Sequence, residues 1–349
     1  MKAARINVLT HMFAARKYMR CVGLPLLLLV IPRSGQAQAT AAPAVTSAGA
    51  TPVLFAAGTV STMFPEWNTS FTPDGRNVFF SRGLFWTIMV STRVGMVWSA
   101  PEVAPFSGKW LDTDPFVSPD GRRLYFVSNR PMDGDSASPP SPTFNIWYVE
   151  RAKGGNWLQP INVGSPINGH GSVWFPAVTR DGTLYFHAHG RDGGKGSSDI
   201  FYARWAGDHY ADPVPVDFNT AASEQEPYVS PDESYMIFVS DRKGGFGGGD
   251  LYISFRSGQH WSAPVNLGQA VNSSATDMAP SVSPDGTRLY FTSVRLPFRG
   301  VRPHRVDATA FTKELTGYEN GNLKMYSIAL DTTAMRVLRN MADVSTPGS

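Results

Sequence analysis

The chain has 349 residues, of which 42% are hydrophobic, 12% aromatic and 17% charged, with 33 glycines and 27 prolines. A net charge of +3 is small for this length and excludes the basic footprint of a nucleic-acid partner. The aromatic and turn-forming content, without long helical periodicity, points to one all-β domain built of repeats.

Residues 1–39 read as a signal peptide. Arg16, Lys17 and Arg20 precede the apolar run Val22 to Ile31, which falls short of the roughly 20 residues of a membrane span and suits a signal core. Ala37-Gln38-Ala39 offers small residues around a cleavage point after Ala39, and either Met1 or Met12 serves as the start. The single cysteine, Cys21, lies before the apolar run, so the mature chain is expected to carry neither disulfides nor thiol chemistry. A periplasmic or secreted location follows. Residues 40–51, rich in Ala, Thr and Pro, read as a disordered linker.

From residue 52 to 331 the chain repeats. Pro73-Asp74-Gly75, Pro119-Asp120-Gly121, Arg180-Asp181-Gly182, Pro231-Asp232 and Pro284-Asp285-Gly286 each precede an apolar run such as Val78-Phe79-Phe80 or Leu289-Tyr290-Phe291. The turn aspartates are 46, 61, 51 and 53 residues apart, near the period of roughly 40 to 50 residues of a propeller blade. Asn145-Ile146-Trp147-Tyr148, Asp199-Ile200-Phe201-Tyr202, Asp250-Leu251-Tyr252 and Asn322 to Tyr326 open the third strands. Trp98-Ser99-Ala100-Pro101, Trp157 to Pro160, Tyr210 to Pro213 and Trp261-Ser262-Ala263-Pro264 lead into the fourth. That last feature is missing after Tyr326 and stands instead at the front, as Pro52-Val53-Leu54-Phe55-Ala56-Ala57-Gly58. The expected fold is an all-β β-propeller of five blades of four antiparallel strands, closed by the N-terminal strand so that no sheet edge stays free. Six blades require a degenerate unit.

An acid stands eight residues before four of the turn aspartates: Glu66, Asp112, Glu224 and Asp277, with Val173 in the third unit. Asp114 and Glu226 add a second acid two residues on. First strands line the channel of a propeller, so these acids are expected to ring one mouth and to hold a cation or a basic peptide segment. The competing expectation is an inter-blade lock, each acid pairing with the arginine after the second strand: Arg82, Arg130, Arg191, Arg242 or Arg295. Both can hold at once, because unpaired buried acids are costly.

His187 and His189 share one face of a strand and, with His170, form a weak metal candidate. No metal and no cofactor is expected. The glycine-rich stretches 191–196 and 242–249 lack the strand-loop-helix context of a nucleotide loop and read as flexible connections. Gly169-His170-Gly171-Ser172-Val173 does not complete a nucleophile elbow. The insertion 296–321 gathers Arg299, Arg302, His304 and Arg305 beside Phe298 and Phe311, and reads as a lid, a docking arm or a disordered loop. The tail 332–349 loses strand character.

Val-Ser-Pro-Asp-Gly at 117–121 and 282–286, the Leu-Tyr-Phe that follows, Ser240-Asp241-Arg242, the glycine run 244–248 and Asp250-Leu251-Tyr252 resemble the exported bacterial β-propeller repeats of the TolB-like, WD-repeat-like family. The resemblance covers residues 52 to 331 and implies the propeller module alone, since TolB resembles a six-bladed ring preceded by an α/β domain. The repeat count, the positions of the acids and the absence of a complete catalytic set lead to the expectation of a non-enzymatic binding module that receives a peptide or an envelope protein at the acidic mouth. A carbohydrate-active enzyme with paired carboxylates, as in five-bladed glycosidase propellers, and a structural envelope scaffold are the alternatives.

Overall fold

The computed structural model describes residues 45–345 apart from 48, 136, 298–300 and 303. The expected signal peptide, with Ala39 and Cys21, lies outside the described residues, as do Phe298 and Arg299. The chain opens with β1 (Val53–Leu54). Blade one follows as β2 (Glu66–Phe71), β3 (Asn77–Arg82), β4 (Thr87–Val94), β5 (Val97–Trp98) and β6 (Glu102–Val103), with β5 and β6 both paired to β4. Blade two is β7 (Asp112–Val117), β8 (Arg123–Ser128), β9 (Asn145–Glu150) and β10 (Ile161–Asn162). Blade three is β11 (Val173–Val178), β12 (Leu184–His189), β13 (Ser198–Ala203) and β14 (Val214–Pro215). Blade four is β15 (Glu224–Val229), β16 (Tyr235–Ser240) and β17 (Asp250–Ser257), with β18 (His260–Trp261) and β19 (Val265–Asn266) both on β17. Blade five is β20 (Asp277–Val282), β21 (Arg288–Ser293) and β22 (Lys324–Ala329).

The fourth strand of blade five is β1, antiparallel to β22 with Val53 opposite Ser327 and Leu54 opposite Tyr326. Phe55 anchors this closing strand, with ring centroids 4.9 Å from Tyr290, 5.7 Å from Trp98 and 6.0 Å from Phe71. Five sheets form among the described residues, so the chain is a five-bladed propeller and not a six-bladed one.

The aromatic runs after each turn are continuous because each blade is covered on both faces. In β8, Leu124, Tyr125, Phe126 and Val127 are all buried, the pattern of strands packed on two sides. The buried apolar residues fall into five clusters, one per junction between neighbouring blades. Phe79 and Ile88 meet Leu124 and Phe126, Phe186 and Phe201 meet Val127 and Ile146, and Ile253 and Phe255 meet Leu289 and Ile328.

The turn aspartates act by one local rule. The Arg76 N–H and the Thr72 hydroxyl both donate to Asp74 Oδ1, at 3.0 and 2.6 Å, and Arg122 and Ser118 repeat the pair on Asp120. This is an Asx turn that fixes the start of the second strand. The Thr72 hydroxyl and the Arg76 N–H hold the Asp74 carboxyl below its ordinary pKa.

The expectation of a disordered linker changes, and the tail, which loses strand character as expected, becomes a helix. Within the expected linker, Val45 and Thr46 are buried, Thr46 bridges Leu330, and the Asp331 N–H donates to the Val45 carbonyl at 2.8 Å. The tail forms α2 (Thr332–Ser345), which buries Met335 and Leu338 against the core of blades four and five. Burial of apolar side chains offsets the cost of ordering both segments. No helix among the described residues is long and apolar enough to cross a membrane.

Candidate functional site

Glu66, Asp112, Glu224 and Asp277 each begin an innermost strand and have no exposed surface. Their guanidinium partners lie at 3.2 Å (Arg82), 2.7 Å (Arg130), 3.0 Å (Arg242) and 2.6 Å (Arg295). Every pair lies within one blade: hairpin register sets Glu66 opposite Arg82, and in the other three the acid stands opposite Ser128, Ser240 or Ser293 and pairs with the arginine two residues beyond it. This corrects the inter-blade placement of the lock. What ties blade to blade is the other side of the guanidinium. Arg130 Nη2 donates to the Phe106 carbonyl, Arg295 Nη2 to Val271, and Arg82 Nη2 to Thr59 and Val60, all on the linker that enters the blade. Arg191, whose blade has Val173 in place of the acid, donates to the Pro166 and Ile167 carbonyls at 2.6 and 3.0 Å. The linker bond is therefore common to four blades and the acid is an addition to it. Burial raises the Glu66 and Asp112 pKa values, against the pull of Arg82, Lys324 and Arg130.

Two residues further along, each innermost strand carries a register shift with a left-handed residue at its centre. Asn68, Asp114, Phe175, Glu226 and Ala279 have φ of 51, 51, 51, 55 and 49°. These bulges turn five backbone N–H groups toward the preceding blade. Asn68 donates to Thr292 Oγ1, Asp114 to Ser81 Oγ and Glu226 to His187 Nδ1, at 3.1 to 3.2 Å. In blades two and four the position equivalent to Ser81, His187 and Thr292 is Val127 or Val239, which cannot accept. There the acid of the same blade substitutes: Ala279 N–H donates to Glu226 Oε2 at 2.6 Å, and the Phe175 N–H faces the Asp114 carboxylate.

Asp114 and Glu226 thus differ from the other four acids in forming no ion pair among the described residues. Asp114 is 1% exposed, accepts the Thr113 hydroxyl on Oδ1 at 2.8 Å, and leaves Oδ2 without a hydrogen-bond partner. Glu226 keeps part of its surface open. Burial pushes the Asp114 carboxyl up to about 7 and the Glu226 carboxyl up to about 8, the neighbouring Asp114 adding to the latter.

Aromatic side chains stand at the same end of the innermost strands. Trp67 donates its indole N–H to Thr113 Oγ1 at 3.0 Å. Trp86 lies 6.5 Å from Trp67, 5.1 Å from Phe144 and 5.9 Å from Trp174, with Phe144 and Trp174 at 4.6 Å. Met63, Phe64, Leu84 and Phe85 extend the patch as exposed residues, Phe85 being 81% exposed. Sequence reasoning missed this patch, because its members come from three blades and three loops.

The described part of the 296–321 insertion adds α1 (Ala308–Thr316), capped by Asp307 and held by an Arg302–Glu314 pair at 2.7 Å. Asn320 Nδ2 donates to the Met63 carbonyl at 3.0 Å, and Lys324 Nζ donates to the Phe64 carbonyl and lies 3.6 Å from Glu66. Arg305 and His304 are exposed. The insertion borders the aromatic patch beside Met63 and Phe64.

The histidines do not converge. His187 is buried, stacks on Phe175 at 5.7 Å and uses Nδ1 as an acceptor, while His170 is exposed. Burial, then His189, drives the His187 pKa well below its ordinary value. Among the described residues no three His, Cys, Asp or Glu side chains come together to hold a metal ion. The glycine loops connect the second and third strands of blades three and four, as expected, and each is held by a carboxylate. Asp199 Oδ2 accepts the Lys195 and Gly196 N–H groups, and Asp250 those of Phe246 and Gly247. A Cβ on Gly196 or Gly247 would stand 1.9 or 1.7 Å from the Ala222 or Ala275 carbonyl of the linker to the next blade.

At the opposite end, the turn side, the axis opens into a cavity of about 440 Å³. Neither Asp114 nor Glu226 lines it.

No family model and no curated protein matches the chain. Among solved structures it is similar to TolB from Acinetobacter baumannii, at 13% identity and TM-score 0.45, over 77% of this chain and 55% of that one. It is similar to an alpha-L-arabinofuranosidase from Lactobacillus brevis, at 12% identity and TM-score 0.47, over 78% and 92%. It is also similar to a protein of unknown function from Dyadobacter fermentans, at 16% identity and TM-score 0.45, over 82% and 88%. Likenesses at this level carry no argument about activity.

Proposed function

We propose that this chain is an exported binding module that receives a peptide segment of another protein at the acid-bearing end of the axis, with a basic side chain of the guest meeting Glu226. The observation that carries this reading is that Glu226 is partly open and lacks a cation, with the buried Asp114 charge beside it. A basic group arriving there stabilises the ionised form of Glu226, whose carboxyl is otherwise kept protonated up to about pH 8 by burial and by the neighbouring Asp114. The aromatic patch of Trp67, Trp86, Phe144 and Trp174 supplies stacking surface for the rest of the guest. Of the six acids first expected to receive a ligand, this assigns contact to Glu226 and a supporting field to Asp114. Glu66, Asp112, Glu224 and Asp277 are assigned to structure. A glycosidase needs two carboxyl groups that both reach the substrate, and Asp114 is 1% exposed.

The test is fluorescence anisotropy with end-capped labelled peptides that carry lysine, norleucine or glutamate between two tryptophans. Preference for lysine, lost in Glu226→Gln and kept in Asp232→Asn at the far end, supports the reading. Equal binding of all three peptides sinks it.

A further inference from the structure

The five turns enclose the axial cavity of about 440 Å³, a volume within the range of small-molecule sites. Phe71, Phe116, Phe175, Tyr228 and Tyr235 contribute aromatic surface to its wall. Tyr228 and Tyr235 lie side by side at 6.2 Å. Pro73, Pro119, Pro231 and Pro284 form the rim, and their fixed φ keeps the opening preformed.

Most polar groups of the wall are already engaged. The Ser118 and Ser283 hydroxyls donate to the turn aspartates Asp120 and Asp285. Ser70 Oγ accepts the Val117 N–H at 2.8 Å, and Ser281 shares a hydrogen bond with Thr69. The Asp232 carboxylate accepts both the N–H and the hydroxyl of Ser234.

One turn breaks the pattern. Where four blades have proline before the aspartate, the third has Arg180. Having an N–H, Arg180 donates it to the Pro231 carbonyl at 2.8 Å and joins the third turn to the fourth. Arg180 also lines the cavity and is exposed, and no ion pair is formed by its guanidinium among the described residues.

We propose that this cavity is a second ligand site, separate from the peptide mouth, and that it takes a flat apolar molecule bearing one anionic group. The ring system lies between the aromatic side chains, and the anion, a carboxylate, sulfonate or phosphate, meets the Arg180 guanidinium, which is suited to planar oxyanions.

Anilinonaphthalene sulfonate and its uncharged parent phenylnaphthylamine test this on the full chain, by fluorescence titration with stoichiometry from calorimetry. One saturable site for the sulfonate is expected. Arg180→Gln is expected to weaken the sulfonate about tenfold, the scale of one charge-assisted contact, and to leave phenylnaphthylamine unchanged. Tyr228→Leu and Phe116→Leu are expected to weaken both probes, with circular dichroism reporting that each variant folds. Absence of saturable binding, or binding indifferent to both wall variants, overturns the site. An equal effect of Arg180→Gln on the two probes overturns the assignment of the anion.

Discussion

Ala279 donates its backbone N–H to Glu226 Oε2 at 2.6 Å, across the junction between blades four and five. The same junction role is filled by Ser81, His187 and Thr292 elsewhere, so Glu226 stands in for a hydroxyl that Val239 does not have. Glu226→Ala is expected to cost about 1–3 kcal/mol by leaving a buried N–H unpaired. Adding Val239→Thr is expected to restore most of that loss in urea unfolding. If the double variant is no more stable than the single one, the substitution rule is wrong.

The pH dependence has a defined sign. Glu226 titrates at about 8 against an ordinary 4.5, and Asp114 at about 7 against 3.8. Between those limits the folded chain holds protons that the unfolded chain has released, so stability is fully present below about pH 4 from these two groups and is lost as pH rises toward 8. Glu226→Gln keeps an acceptor for Ala279. It is expected to gain about 4 kcal/mol more at pH 9 than at pH 5 relative to the parent chain. Affinity for a lysine peptide is expected to rise over the same interval, because the cation binds the deprotonated acid.

Arg295→Met is expected to cost about 3–5 kcal/mol, since it leaves Asp277 buried without its partner at 2.6 Å and frees the Val271 carbonyl. Arg295→Met with Asp277→Leu is expected to regain a large part of the loss. Unfolding of the two variants side by side measures the difference between an orphaned charge and an absent pair.

Gly247→Ala is expected to destabilise the chain by about 3 kcal/mol, as an added methyl meets the Ala275 carbonyl at 1.7 Å and the backbone on both sides must move. Gly154→Ala, with open space around it and no left-handed φ, is the matched control and is expected to be neutral or slightly stabilising. Thermal unfolding distinguishes them.

Much of the ring was legible because its signals are local. An aspartate two residues before an N–H, as at Asp74 and Asp120, marks a turn wherever it occurs, and the displaced Val53-Leu54 segment announced its own pairing. The hub was not. The repeated X-Pro of Asp114-Pro115, Phe175-Pro176, Glu226-Pro227 and Ala279-Pro280 is visible in the sequence, yet nothing local tells that the residue before proline is left-handed. The acids all looked alike, since pairing depends on which side chain the neighbouring blade presents. Glycine runs suggested freedom, whereas Gly196 and Gly247 are small because another backbone is close. The tail loses strand character as expected, but its docking was not legible, because the buried side chains of α2 are Met335 and Leu338 among those described, too sparse an apolar stripe to stand out.

The pairing of Leu54 with Tyr326 also makes the two ends of the ring depend on each other. Residues 53–54 and 326–327 lie more than 270 positions apart in the chain yet share one sheet, so trimming either end removes a strand of the same blade and leaves the other without its neighbour.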